Sequence, residues 1–261
     1  MNKSFQLSTA LKLVLMAGMV STLAACGGGG GGHNEPPVST TPPPPPVTTP
    51  PPVSYAITMT GTAATGAAIA NGTVTTTCRT GSATALTNAD GSFTVKVPAP
   101  AEGPCILSLT QNGVTLRSIA SGDGAKANIT PLTEMFVAYV ATSSGAGVAA
   151  TPVQLAQNAN VRIIVGNATM MQATANRVAL IASTAANGVA VPSDFLSATL
   201  VPKSATNPGN AQDAVLEALK AANIFGANGS VVASVLETLR KDAILNTVTG
   251  GTGSGTGGSG G

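Results

Sequence analysis

The chain has 261 residues, a formal net charge of +2 and only 8% charged residues. Removal of the N-terminal segment that carries Lys3 and Lys12 leaves basic and acidic residues in balance, so no basic surface for nucleic-acid phosphates is expected. The single histidine, His33, lies in a glycine- and proline-rich stretch and is predicted to be a solvated spacer residue. Catalytic and metal sites that need histidine therefore have no candidate.

The N-terminus has the pattern of a secretory signal peptide. Lys3 and Lys12 precede an apolar core of about ten residues, which is too short to remain as a membrane-spanning helix. The core ends in Leu23-Ala24-Ala25-Cys26, which resembles the bacterial lipobox. The resemblance implies cleavage after residue 25 and acylation of Cys26, whereas an ordinary cleaved signal with a free cysteine is the alternative.

The lipobox reading predicts where the mature chain resides. About two acyl chains suffice for stable anchoring, and lipoproteins of this kind carry three. Gly27 stands where an aspartate would, by resemblance to some bacterial families, favour retention in the inner membrane. We therefore expect a signal peptide over residues 1–25, a membrane partner reached through the lipid, and an outer-membrane location facing the periplasm or the cell surface.

Low-complexity segments follow the lipobox and close the chain. In residues 26–53, Cys26 is followed by six glycines and then by blocks of proline, which favour polyproline II and extend over about 50 Å. This segment is predicted to be a tether. Residues 248–261 consist almost entirely of Gly, Ser and Thr and are predicted to be a disordered tail.

Residues 54–128 carry short alternating patterns broken by glycine, which are typical of antiparallel β structure. Asn112-Gly113 indicates a tight hairpin within this region. The glycine-rich loop and strand at residues 61–74, and the turn Thr87-Asn-Ala-Asp-Gly-Ser-Phe, resemble the carboxypeptidase regulatory-like, or transthyretin-like, sandwich. The resemblance implies a noncatalytic accessory or spacer module and supplies no catalytic residue.

Two cysteines lie on the apolar side of their predicted strands. Cys78 and Cys105 belong to a chain that is expected to enter an oxidising compartment, where disulfides persist. We expect a disulfide between them, and two buried free thiols are the alternative. Lipid on Cys26 would leave these two as the remaining cysteines.

Residues 129–247 change to a helical period. Thr130-Pro131 and Thr151-Pro152 are helix starts, Asn210 is expected to cap a helix over 211–222, and Ser230 to cap one over 231–245. Residues 155–187 are predicted to be mostly helical, with a possible break near Gly166. The fold class is therefore α+β: a small antiparallel β-sandwich followed by a helical bundle, with a disordered tether and tail.

No part of the sequence indicates a catalytic residue, a cofactor or a metal site. Acidic residues provide the remaining enzymatic alternative, a carboxylate-dyad hydrolase, but Glu134 and Asp213 are expected to complement helix dipoles. We therefore expect a noncatalytic, lipid-anchored envelope protein that displays an interaction or structural module to an envelope or surface protein partner. A binding protein for a small apolar ligand in the helical domain is the second hypothesis.

Overall fold

The structure is a computed structural model, and it describes residues 54–248. Over this range the chain is a mixed α+β protein with six strands and six helices. Cys26, His33, the predicted signal peptide, the tether up to residue 53 and the tail beyond residue 248 lie outside the described residues. The predicted fold class is confirmed for the part that is described.

The strands come first along the chain and the helices follow. The strands are β1 (Tyr55–Thr62), β2 (Thr73–Thr80), β3 (Ser82–Leu86), β4 (Ser92–Pro98), β5 (Glu102–Gln111) and β6 (Val114–Ala120). The helices are α1 (Pro131–Ser143), α2 (Pro152–Gln157), α3 (Ala159–Gly166), α4 (Ala168–Ala185), α5 (Ala211–Ala221) and α6 (Ala233–Leu245).

The strands form two antiparallel sheets around one apolar core. One sheet pairs β1 with β4, and the other has the order β3-β2-β5-β6. Because successive side chains point to opposite faces of a strand, alternating apolar residues of β1, β4 and β5 reach the same core, whereas Tyr55 at the start of β1 is exposed. The largest fully buried members of this core are Met59, Ile69, Leu107, Leu109 and Ile129.

The hairpin between β5 and β6 has the predicted turn. Asn112 and Gly113 have φ values of 50° and 75°, as a two-residue turn with positive φ at both positions requires. The turn fixes the register, so that Gln111 pairs with Val114 and Cys105 with Ala120. The apolar residues of both strands therefore face the core together.

The segment between the last strand and the first helix is itself paired with β1. Ala127 N donates to Thr60 O at 2.8 Å and Ile129 N donates to Thr62 O at 3.0 Å, in parallel orientation. The side chain of Asn128 is buried there: its Oδ1 accepts from Thr62 N, and its Nδ2 donates to Ala198 O. This short segment thus joins β1, the start of the helical region and the loop before α5.

Helix starts agree with the predictions at three of four positions. Thr130 and Thr151 are N-caps with complete capping boxes, and Asn210 accepts from Asp213 N. The predicted start of the last helix at Ser230 is wrong. Helix α6 begins at Ala233 without a side-chain cap, because Ser230 N and Oγ both donate to Asn228 Oδ1.

The helices pack on the outer face of the four-stranded sheet. Ile106 of β5 and Ile119 of β6 point away from the sheet core and are buried among helical residues. The helical core around them includes Leu132, Met135, Phe136, Leu155, Ile164, Val178, Leu219 and Leu239. Sheet and helices therefore share an apolar interface, and residues 54–248 form one packed body.

Candidate binding groove

The two cysteines of the sheet lie directly opposite each other. Cys78 of β2 and Cys105 of β5 are cross-strand partners with their Sγ atoms 2.05 Å apart, at disulfide distance, and both are buried. They are 27 residues apart in sequence. The structure thus brings together the two residues expected to pair, whereas the predicted lipidation site, Cys26, is not among the described residues.

Glu134 of α1 covers the edge strand of the sheet. Its Oε2 accepts from the main-chain N of Arg117 in β6 at 2.8 Å, and its two oxygens also accept from the guanidinium of the same residue. Both side chains are about 15% exposed. Glu134, in the first turn of α1, therefore connects the helix to the unpaired edge of β6. This contact protects the edge from pairing with another strand.

Asp242 joins three helices. Its Oδ1 accepts from Tyr139 Oη at 2.7 Å and from Arg177 Nε at 2.6 Å. Burial disfavours the charged carboxylate, but hydrogen bonds from Arg177 and Tyr139 outweigh that effect and lower the pKa of Asp242. Burial, together with the hydrogen bond to Asp242, raises the pKa of Tyr139. The cluster connects α1, α4 and α6.

Asp213 is a buried carboxylate that the sequence did not indicate as such. It is 2% exposed; its Oδ2 accepts from Lys203 N at 3.0 Å, and its Oδ1 has no hydrogen-bond partner within residues 54–248. Burial raises its pKa, and the charge of Glu217, one helical turn away, acts in the same direction. Its place in the first turn of α5 was visible in the sequence, but its burial under the 201–210 loop was not.

An open groove runs between the sheet and α4, and we call it the junction groove. Its main part has a cavity volume of about 440 Å³. The walls are the end of β6, the segment 121–126, the turn between α3 and α4, one face of α4 and the loop 193–197. The larger apolar side chains in these walls are Ile119, Val165, Met171 and Leu196, and four alanines accompany them: Ala120, Ala125, Ala168 and Ala175.

A second pocket of about 300 Å³ forms the other end of the junction groove, and we call it the arginine end. It shares Ser121, Val165 and Gly166 with the main part. Arg79 at the end of β2 and Arg162 of α3 also line it. The junction groove as a whole therefore has a mostly apolar main part and a cationic end.

No local sequence pattern indicates this groove. Its residues come from five stretches of the chain, at 79, 103–104, 119–126, 162–175 and 193–197, and the sequence pattern indicates only the break at Gly166. Within residues 54–248, no three His, Cys, Asp or Glu side chains are grouped so as to hold a metal ion. In the same range, no helix combines the length and apolar character needed to cross a membrane.

Comparison with known proteins returns no relative. No protein-family model matches the chain, and neither curated proteins nor solved structures give a significant match. The function must therefore be argued from the residues and the geometry themselves.

Proposed function

We propose that the chain is a lipid-anchored, noncatalytic lipoprotein of the bacterial cell envelope that displays its α+β body for an interaction or structural role. The observation that carries this proposal is Leu23-Ala24-Ala25-Cys26 at the end of the apolar run. By its resemblance to the lipobox, residues 1–25 are removed and Cys26 carries the acyl chains. Gly27 then directs the protein to the outer membrane.

Two features of the described body support the proposal. The paired positions of Cys78 and Cys105 are compatible with an oxidising compartment outside the cytoplasm. Three of the acidic residues that could serve a hydrolase are engaged in structural contacts: Glu134 with Arg117, Asp242 with Tyr139 and Arg177, and Glu237 with Arg240. The resemblance of residues 54–128 to a noncatalytic accessory module is in keeping with both features.

The anchor is tested by replacing its cysteine in the producing cell. Cells expressing the full chain are fed an alkyne-bearing fatty acid, and the protein is partitioned between detergent and aqueous phases. We expect wild type to be labelled and to enter the detergent phase, and Cys26→Ala to be unlabelled and to stay aqueous. Gly28→Ser, which leaves the lipobox intact, is the matched control. An unlabelled wild-type protein, or a labelled Cys26→Ala variant, would refute the anchor.

A second candidate function is supported by the junction groove. A cavity of about 440 Å³ with apolar walls is within the range of small-molecule sites. We therefore propose, as the alternative, a binding protein for a small apolar ligand held between the sheet and α4. Native mass spectrometry of the mature Cys26→Ala chain tests this candidate, because a bound metabolite adds a defined mass. If the protein shows no added mass, either as purified or after incubation with extracts of the source cells, the result argues for a display role alone.

A further inference from the structure

The arginine end of the junction groove is lined by two cations and by no acidic residue. Arg79 pairs with Glu102, whose side chain is about half exposed. The Arg162 side chain is exposed, and its guanidinium makes no ion pair or hydrogen bond within residues 54–248. One positive charge therefore remains without a counter-charge at this end. A guanidinium presents a planar fork of donors, which fits a carboxylate.

Charges at the opposite end of the groove are already engaged. Lys126 Nζ donates to Thr199 Oγ1 at 3.0 Å, and Asp194 Oδ1 accepts from Gln212 at 3.1 Å. These two side chains also carry opposite charges, so the net charge at this end of the groove is small. The uncompensated positive charge of the groove thus lies at the arginine end alone.

The space between the two ends is apolar. Val165 lies where the two pockets meet, and Ile119, Met171 and Leu196 line the main part of the groove. A methionine adapts its shape to flexible apolar ligands. A molecule with an anionic head at the arginine end would therefore place a hydrocarbon chain along these side chains.

We infer that the junction groove binds a single-chain amphiphile with a carboxylate head, of the fatty-acid class, with the carboxylate at Arg162 and the chain along Met171 and Leu196. The inference deepens the second candidate function, on which it rests, and is independent of the lipid anchor. Arg162 makes the ionic contact, and Arg79 stays paired with Glu102. The apolar contacts supply affinity, and the arginine end favours a negatively charged head group over a positively charged one.

The test is calorimetric titration of the mature Cys26→Ala chain with three probes that share a ten-carbon chain: decanoate and decyltrimethylammonium below their micelle concentrations, and decanol below its solubility limit. We expect decanoate to bind with one site per chain, and decyltrimethylammonium to bind at least tenfold more weakly because like charges repel at the arginine end. Arg162→Gln should weaken decanoate binding about tenfold, as expected for a lost charge-assisted hydrogen bond, and should leave decanol binding unchanged. Lys220→Gln, a cation on α5 that does not line the groove, is the matched control.

The position of the chain is tested with two tryptophan variants of α4. Ala168 lines the groove and Ala173 does not, although both are exposed on the same helix. We expect Ala168→Trp to abolish binding of decanoate and decanol, and Ala173→Trp to retain both, with unchanged circular dichroism in each variant.

The outcomes separate the inference from the function on which it rests. If decanol binds and decanoate binds no better than decyltrimethylammonium, or if Arg162→Gln binds decanoate as well as wild type, the apolar-ligand function stands and the anionic head group is wrong. If none of the three probes binds to the wild-type chain, both are wrong. Binding that survives Ala168→Trp would remove the junction groove as the site.

Discussion

Removal of the carboxylate of Glu134 should destabilise the whole body, because this side chain connects the first helix to the edge of the sheet. It accepts from the main-chain N of Arg117 and from the guanidinium of the same residue. Glu134→Ala leaves a strand N–H and a mostly buried cation without their partner. Glu134→Gln keeps one oxygen for the N–H but removes the charge.

The size of the effect follows from the burial of the pair. Removing one partner of a fully buried ion pair costs about 3 to 5 kcal/mol. The side chains of Arg117 and Glu134 are 14% and 15% exposed, so solvent reaches them slightly and the cost falls toward the lower limit. We expect Glu134→Ala to lower the free energy of unfolding by about 3 kcal/mol, and Glu134→Gln by about 1.5 kcal/mol, since a neutral hydrogen bond remains.

Urea unfolding followed by circular dichroism measures both values. A double-mutant cycle with Arg117→Met isolates the pair, and we expect a coupling energy above about 1 kcal/mol. Glu237→Ala is the matched control, because Glu237 pairs with Arg240 on the exposed face of α6, where both side chains are 44% exposed. Such pairs contribute little to stability. The reasoning is refuted if Glu134→Ala is no more destabilising than Glu237→Ala, or if the cycle is additive.

Three further predictions concern other contacts of the body. Replacing both Cys78 and Cys105 by alanine should lower the free energy of unfolding by about 3.5 kcal/mol. This value is the loop-closure entropy that the chain-entropy model gives for cysteines 27 residues apart, and urea unfolding without reductant measures it. Asp213→Asn should gain stability over wild type at neutral pH and lose this advantage as the pH falls toward 4, whereas Asp213→Ala should be destabilised because Lys203 N loses its acceptor. Tyr139→Phe should cost about 1 kcal/mol, from its lost hydrogen bond, in thermal unfolding at pH 7.

The direction of the pH dependence predicted for Asp213 follows from the linkage between protonation and folding. Burial raises the pKa of this carboxyl, so the folded chain keeps its proton to a higher pH than the unfolded chain does. Stability is therefore greatest below the unfolded pKa of about 4 and falls as the pH rises through the folded pKa. An amide does not titrate in this range, so stability curves of wild type and Asp213→Asn that run parallel from pH 4 to 7 would show that the buried site does not perturb the carboxyl.

Local sequence signals were sufficient where the physical cause was itself local. Asn112-Gly113 formed its hairpin because both residues tolerate positive φ, and Thr130 capped α1 because its hydroxyl reaches the N–H of the residue three positions on. The α+β class followed from the change of period between residues 128 and 130. Cys78 and Cys105 were expected to pair because each lay on the apolar side of its strand.

Other features depended on contacts that the sequence does not display. Asn158 ends α2 and caps α3, which divides a stretch that the sequence pattern predicts to be mostly helical. Ser230 has the residue type of a helix cap, but its N and Oγ donate to Asn228 Oδ1 in a turn instead. The burial of Asp213 and the walls of the junction groove arise from segments that meet only after folding. The residue pattern of a single sequence does not show which distant segments come into contact.

The pairing of β1 on both sides has a mechanical consequence. β1 lies between β4 and the parallel segment 124–129, and it is the first strand after the predicted tether. Inter-strand hydrogen bonds run across the strands, so a pull along the chain at Ser54 loads both ladders in shear, and many bonds must break together. A force applied through the predicted tether would thus be shared at once by the sheet and, through Ile129, by the segment that leads into α1. If Cys26 is anchored as proposed, force at the N-terminal end of the body therefore meets hydrogen bonds on both sides of β1.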